Sequence, residues 1–551
     1  MIRCYIGLMV LFVSCDFGPK DDESFIMERP NILWIVAEDL SPVIPSFGDS
    51  TVHTPHLSRL AKEGVCYDRV FSTSGVCAPS RAAIATGMYP TRFGANHMRT
   101  GPWFVSNLPA SFIESYAKNA MPPGIKPYQA VPPTEARMMS EYLRQAGYYC
   151  SNNAKEDYQF TKGLMAWDES GTEAHWKHRN QDQPFFSVFN INVTHESQIW
   201  AKANDPLLVD GNLEVPIPPY LPSTDSAMID IRRMYSNIIA MDNKVGEILG
   251  ELEADGLLDN TIVFWYTDHG GPLPRQKRLT YDSGLRVPMI VRYPKRILEN
   301  TRDTSLVSFV DFAPTMLSIA GILPPRHMDG IAFLGEFIGE KRTYIHAAGD
   351  RFDEGPSDRI RAVRDHRYKL ISYYDQELPM FYKVDYREHQ AIMRELRRLK
   401  ITGELNANQS LWFRDTKPEI ELFDTHTDPY ELHNLADDPA YDLIKTRLQR
   451  ELDRWLNEEE DLNMIPEPEL IEKFTENGEM KRTISPKLHR KNNEVTISCA
   501  TNGASIGYRL SSDTTRSEWQ LYKEPIVIDD SVGIEAVAHR LGYMPSGVVG
   551  N

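Results

Sequence analysis

Three things are scarce in this chain, and each scarcity closes off a class of protein. Of six cysteines in 551 residues, Cys4 and Cys15 fall within the first fifteen positions, leaving Cys66, Cys77, Cys150 and Cys499. Four scattered thiols imply no disulfide framework, so the fold must rest on a hydrophobic core. Long apolar runs are also missing: the stretch Tyr5–Val13 is too short to cross a bilayer. Positive charge is in deficit, with 60 Lys+Arg against 77 Asp+Glu and a formal net charge of -17. A field of that sign repels nucleic acid and anionic membrane surfaces, so any anionic substrate needs a locally basic pocket. Internal repeats and low-complexity tracts are absent as well.

What is present reads as a globular protein of several units. The chain is 41% hydrophobic and 25% charged, an ordinary folded composition. Its length exceeds the roughly 250–300 residues at which single cores stop growing. Residues 1–15 pair Arg3 with the apolar run and read as an export signal. The segment Phe12-Val13-Ser14-Cys15 resembles a bacterial lipobox, in which Cys15 is lipidated; simple cleavage is the other reading. Residues 16–29, with the acidic Lys20-Asp21-Asp22-Glu23, are expected to form a linker or surface tether. The protein is thus expected to be exported, to the periplasm or as an outer-membrane or cell-surface lipoprotein.

Two continuous apolar runs of strand length stand out. Asn31–Ala37 ends in Glu38-Asp39, and Thr261–Thr267 ends in Asp268-His269-Gly270. Both read as buried parallel strands delivering hard oxygen ligands at their carboxyl tips. Helical patterns are expected over His56–Glu63, Ser80–Thr86, Glu135–Ala146 and Ile229–Ala254, giving an α/β unit over residues 30–340. From 341 to 481, short strands (Ala362–Arg364, Tyr368–Ser372) precede a helix at Tyr441–Asn457, as expected of a smaller α+β subdomain. Over 482–551 the strand patterns Glu494–Cys499, Ile506–Leu510, Ile526–Ile528 and Gly533–Ala538 predict a small β-sandwich module.

The run Cys77-Ala78-Pro79-Ser80-Arg81, followed by Thr86-Gly87, resembles the Cys-x-Pro-Ser-Arg…Thr-Gly signature of the type I, formylglycine-dependent sulfatases in their bacterial Cys-type form, with Ala85 where that signature has leucine. The resemblance implies an alkaline-phosphatase-like fold with a mixed, largely parallel sheet flanked by helices. It also implies that a maturation enzyme oxidises Cys77 to formylglycine (3-oxoalanine), whose hydrate attacks sulfur, with Arg81 holding its oxygens. A helix starting near Ser80 directs backbone N–H groups at the anion.

Further matches extend the likeness over about Pro30 to Trp455. The resemblance implies one Ca²⁺ held by Asp39, Asp268 and Cys77-derived formylglycine, with Glu38 one methylene longer than the usual aspartate and His269 either a ligand or a neighbour of the ion. Leu143-Arg-Gln-Ala-Gly-Tyr148 leads to Lys155, a sulfate contact, with Asp157 where many members have histidine. His195, at the tip of the apolar run Pro184–Thr194, and Lys277, in Pro274-Arg-Gln-Lys277, are the implied proton donors to the leaving oxygen. His97 and Arg99 either line the substrate subsite or belong to a plain surface loop, and the aromatic-rich Trp103–Tyr128 stretch is a possible wall of the cleft. Local wording such as Thr194-His195-Glu196-Ser197 is most similar to the N-sulfoglucosamine sulfohydrolase-like branch.

The expected activity is therefore hydrolysis of O-sulfate or N-sulfate groups on a sulfated polysaccharide or oligosaccharide. Two alternatives stand beside it: a phosphomonoesterase or phosphonate-ester hydrolase of the same superfamily, and a catalytically silent glycan-binding protein.

Overall fold

The computed structural model describes residues 29–103, 110–294, 298–512, 519–529 and 531–550. The expected signal, Cys15 and all of the linker except Arg29 lie outside these residues. Among the described residues a nine-stranded sheet organises the chain. Its strands are β1 (Asn31–Ala37), β2 (Val65–Phe71), β3 (Tyr149–Asn153), β4 (Glu169–Ser170), β5 (Phe185–Ile191), β6 (Thr261–Thr267), β7 (Arg286–Arg292), β8 (Thr301–Asp303) and β9 (Val307–Ser308). They lie in the order β4-β3-β5-β1-β6-β7-β2-β8, with β9 beside β2. Only β7 opposes the rest, pairing antiparallel with both β6 and β2. The fold is thus mixed α/β with a mostly parallel sheet.

The unbroken apolar runs follow from burial on both faces. In β1, Ile32, Trp34 and Val36 enter the core on one side, and Leu33, Ile35 and Ala37 the core on the other. Strand β6 divides the same way, with Phe264 and Tyr266 opposite Val263 and Trp265. The 30-residue helix Asp225–Ala254 covers the second face with Ala227, Ile231, Met234, Ile238, Met241, Val245 and Leu252, a spacing of three and four that lines one helix stripe. Helices Cys77–Thr86 and Phe312–Ile319 cover the first face.

Several expectations shift. The helix expected to start near Ser80 begins at Cys77, and the third expected helix begins at Met139, four residues late. A helix at Ala391–Thr402 had no counterpart in the sequence reading; it packs against Asp225–Ala254 through Ile392, Met393 and Leu396. The antiparallel sheet formed by Ile345–Gly349, Ile360–Arg364, Tyr368–Tyr373 and Ile420–Asp424 has no core of its own. Its side chains Val363, Leu370 and Leu422 join one of the two large cores, and Ile360, Ala362 and Ile371 join the other.

Residues 487–550 form two small antiparallel sheets of three and four strands around Val495, Ile497, Ile528, Ile534 and Ala536. This unit is clamped to the main sheet. Lys523 donates to the carbonyls of Arg144 and Gln145 at 3.0 and 2.8 Å, Arg144 Nη2 donates to the Trp519 carbonyl at 3.1 Å, and Leu164 N–H donates to His539 Nδ1 at 3.1 Å. Gly503 packs so closely on Thr134 that a Cβ would sit 1.9 Å from its carbonyl oxygen. One of the gripped residues, Leu164, lies on the segment that follows Lys155 and Asp157. A cleft of about 710 Å³ between this unit and the β3–β4 edge, lined by Tyr149, Glu169, Tyr508 and Lys523 among others, contains none of the expected site residues.

Burial pushes the His539 imidazole down to about 4. A folded pKa below the free value means that the unfolded chain takes up the proton first. The stabilisation is therefore complete above about pH 6.5 and is lost as the pH falls towards 4, a contribution of roughly 3 kcal/mol. His539→Asn is expected to flatten the pH dependence of the urea midpoint in that window; an unchanged slope would show that His539 titrates as in the unfolded chain.

Candidate active site

The carboxyl edge of the sheet gathers side chains from five segments. Strand β1 ends in Glu38-Asp39, β3 leads to Lys155, β5 leads to His195, and β6 ends in Asp268-His269. Strand β2 leads through residues 72–76 into the helix that opens with Cys77. Lys277 reaches the same edge for a topological reason: β6 and β7 are antiparallel neighbours, so the loop between them starts and finishes at one end of the sheet.

That loop is locked on both sides. Arg278 N–H donates to the Gly75 carbonyl at 2.7 Å, and a Cβ on Gly75 would lie 2.4 Å from the Leu279 carbonyl oxygen. Only a glycine allows this approach two residues before Cys77. Arg275 and Arg278 take left-handed backbone angles, φ +63° and +75°, each costing of order 1–3 kcal/mol. Their guanidinium groups hold them there. Arg275 donates to the carbonyls of Tyr430 and Glu431, and Arg278 makes a bidentate pair with buried Glu196 at 3.0 and 2.7 Å.

Asp39 lies at the centre. It is fully buried, with φ +48°, a region that aspartate tolerates better than most residues. Its Oδ2 accepts from Lys277 Nζ at 2.6 Å and from Glu196 N–H at 2.7 Å, and its Oδ1 lies 3.0 Å from His269 Nε2. Its own N–H donates to Asp268 Oδ1 at 3.0 Å. Asp268 Oδ2 takes Arg81 through Nε at 3.1 Å and Nη2 at 3.0 Å, while Arg81 Nη1 donates to Asn190 Oδ1 at 2.7 Å. Lys155 Nζ donates to Glu38 Oε2 at 2.8 Å.

Four carboxylates (Glu38, Asp39, Glu196, Asp268) thus meet four cations (Arg81, Lys155, Lys277, Arg278) in a nearly dry space. Burial opposes ionisation, but His269, Arg81 and Lys155 nonetheless bring Asp268 down to about 2. Burial also raises the Cys77 thiol, and Lys277 and Lys155 outweigh it, bringing the thiol down to about 6. Such a thiol is unusually reactive for a fully buried one.

Asp39, Cys77, Asp268 and His269 present ligand atoms that all lie within 4.8 Å of one another. His269 Nδ1 lies 3.1 Å from the Gly270 carbonyl, the outer hydrogen bond that turns the Nε2 of a metal-binding histidine towards its ion. A cation fits this donor set. Glu38 stands apart from it: it falls in a second group with Asp39 and His195 and is engaged by Lys155.

His195 Nδ1 lies 2.8 Å from Ser197 Oγ, and against burial and Lys277 the Asp39 carboxylate raises the pKa of the ring, which favours a proton on both ring nitrogens. Nε2 lies 3.2 Å from Lys277 Nζ. Two donors therefore converge on one point, where an oxygen carrying negative charge is the natural partner. Cys77 is 1% exposed, whereas the side chains of His195, Lys155 and Arg99 are 18%, 22% and 26% exposed, so these three mark the mouth.

Nine of the residues anticipated from sequence therefore meet: Glu38, Asp39, Cys77, Arg81, Lys155, His195, Asp268, His269 and Lys277. Arg99 joins at the rim through Asp157, at 2.5 Å. His97 does not join them: it is fully buried, its Nδ1 faces the Arg351 N–H, and burial pushes it down to about 4. The sequence reading missed Asn190, Glu196 and Arg278. Glu196 and Arg278 each directly follow an anticipated residue, which was the available signal.

The profile described as Sulfatase matches residues 30–322, and one described as N-sulphoglucosamine sulphohydrolase, C-terminal, matches residues 275–412. An ulvan-active sulfatase of Formosa agariphila is 48% identical to the chain, covering 97% of this chain and 93% of that protein. The human N-sulphoglucosamine sulphohydrolase is 24% identical, over 78% of this chain and 90% of its own. Among solved structures, a protein in complex with its substrate D-glucosamine-2-N,6-O-disulfate gives a TM-score of 0.55 at 17% identity, covering 79% of this chain and 98% of that one. A 2-O GAG sulfatase gives 0.57 at 17% identity, covering 79% and 93%. At such identities the structural likeness bears on the fold alone.

Removing one partner from a buried ion network leaves the others uncompensated, at a cost of about 3–5 kcal/mol. Glu196→Gln is expected to lose stability on that scale, read as a lower urea midpoint at constant slope. A loss below about 1 kcal/mol would mean that the network tolerates the missing charge.

Proposed function

The chain belongs to the sulfatase family and is a sulfuric ester hydrolase, and from that premise we propose that it removes sulfate from a sulfated polysaccharide or its oligosaccharides, with formylglycine at position 77 and a calcium ion beside Asp39 and Asp268. The observation that carries this reading is the pair of donors, His195 Nε2 and Lys277 Nζ, 3.2 Å apart in the same pocket as the residue-77 side chain. Supporting it is the ulvan-active relative at 48% identity.

The charge balance explains why a cation belongs here. Each of the four buried carboxylates is already engaged by one of the four cations, so much of that positive charge is taken up by them when a sulfate ester brings a further anion into this low-dielectric space. Asp39, Asp268 and His269 would hold the calcium, which would supply a divalent charge to meet the anion, and formylglycine at 77 would supply an oxygen nucleophile. The rest is done by this chain's own side chains. Lys155, anchored on Glu38, and Arg81, anchored on Asp268 and Asn190, are held by their partners and spend no further entropy on binding an oxyanion. Lys277 is held charged by Asp39 and Glu196 despite burial. As the S–O bond to the sugar breaks, its electron pair stays on the sugar oxygen, which takes the Nε2 proton of imidazolium His195 and leaves that ring neutral. Against burial and Lys277, Asp39 raises the His195 pKa so that the ring carries this proton, and Lys277 steadies the charge on the departing oxygen. We further propose export with a lipid anchor at Cys15, which palmitate labelling of Cys15→Ala against wild type would test.

After co-expression with a maturation enzyme, the protein is expected to hydrolyse sulfated oligosaccharides and aryl sulfates, and aryl phosphates much more slowly. A preference for phosphate with sulfate untouched would overturn the reading. A general acid contributes about 10²–10⁴-fold when the leaving group is a poor one. His195→Asn is therefore expected to slow sugar-sulfate cleavage by that factor and aryl-sulfate cleavage far less; equal losses on both would remove the proton-donor role. Chelation is expected to lower the melting temperature, and calcium at 100 times its Kd to restore about 2.7 kcal/mol. Asp268→Asn should abolish that calcium response.

A further inference from the structure

The catalytic cluster accounts for sulfate and the scissile oxygen but leaves the sugar without a holder. Beside His195 lies an aromatic surface that the chemistry so far has not used. Tyr386 sits with its ring 6.3 Å from the His195 ring and 5.0 Å, edge-on, from Trp200. Trp200 in turn stacks on His389, with centroids 5.4 Å apart and planes 26° from parallel. They come from two distant parts of the chain, Trp200 from the short helix Ser197–Ala201, and Tyr386 and His389 from the N-cap and last residue of the 3₁₀ turn Arg387–His389. In a 3₁₀ turn, residues three apart share a face, so Tyr386 and His389 point the same way.

This surface is open yet stiff. Tyr386 is 43% exposed, and His389 is exposed beside it. Between them Arg387 is buried, with its guanidinium over the rings of Phe381 and Trp412 at 5.1 and 4.9 Å and its Nη2 donating to the Tyr382 carbonyl. An exposed aromatic platform fixed by a buried arginine is costly to leave in water unless something covers it.

Resting on the sulfatase reading above, we propose that Trp200, Tyr386 and His389 form a stacking subsite for the pyranose ring that carries the leaving oxygen. The argument is positional. The leaving oxygen belongs between His195 Nε2 and Lys277 Nζ, and Cys77 lies inward, so the sugar extends outward past His195. The exposed aromatic ring beside His195 is that of Tyr386. A pyranose presents a patch of C–H groups on one face, which packs on an aromatic face while its hydroxyls stay in water.

The test uses the matured full-length enzyme with sulfated ulvan oligosaccharides and 4-methylumbelliferyl sulfate. Tyr386→Ala and Trp200→Leu are each expected to raise the KM for the oligosaccharides about five- to ten-fold with kcat within about two-fold, and Tyr386→Phe to keep the wild-type KM. An unchanged KM in both variants overturns the subsite. So does a fall in kcat at constant KM matched on the aryl sulfate, which would make Tyr386 a prop for His195. A second measurement does not depend on turnover: in the Cys77→Ser protein, oligosaccharide binding should quench tryptophan fluorescence, and Trp200→Leu in that background should remove the quench. No difference between the two overturns the subsite, whereas inactivity of the matured wild type on every sulfate ester would overturn the sulfatase reading instead.

Discussion

The structure turns on one buried carboxylate. Asp39 sits at the tip of the central strand with no exposed surface and takes Lys277, the Glu196 N–H and His269 on its two oxygens, while its own N–H is held by Asp268. Such a charge is tolerable in the interior only when fully engaged. Each of its partners is in turn engaged, so the geometry of the whole pocket is over-determined. That is what allows three left-handed non-glycine residues, Asp39, Arg275 and Arg278, to persist around it.

The sheet explains why these groups meet. Parallel strands bring their carboxyl ends to one edge, and chains leaving adjacent strands open a crevice there. Glu38, Asp39, Lys155, His195 and Asp268 arrive in this way. The single antiparallel strand adds something that a fully parallel sheet lacks: it returns the chain at the same edge and so delivers Lys277 and Arg278 to the pocket that holds Cys77. Gly75 is the contact that sets the depth of that loop.

Parts of the chain remote from the chemistry have roles that follow from packing. The C-terminal sheets hold the segment after Lys155 through His539 and the Met165–Trp519 contact, so a unit with its own small core also stiffens one side of the mouth. The 340–481 region shares both main cores and places Tyr386 beside His195.

Much of this was legible in the sequence. The two strands with acidic tips were placed to the residue, because a strand buried on both faces must be apolar without interruption. The Cys77 signature and the order Asp39, Cys77, Lys155, His195, Asp268, Lys277 identified nine of the pocket residues, because their types and local context carry the chemistry directly. What the sequence could not disclose was pairing. Glu196, Arg278 and Asn190 look like ordinary polar residues, and His97 looks like a site residue, until packing decides who faces whom. The decisive contacts join positions as far apart as Lys277 and Asp39, 238 residues, or Arg81 and Asp268, 187 residues. Local pattern reports which face of an element is buried; which distant charge it meets there is settled only when the sheet is assembled.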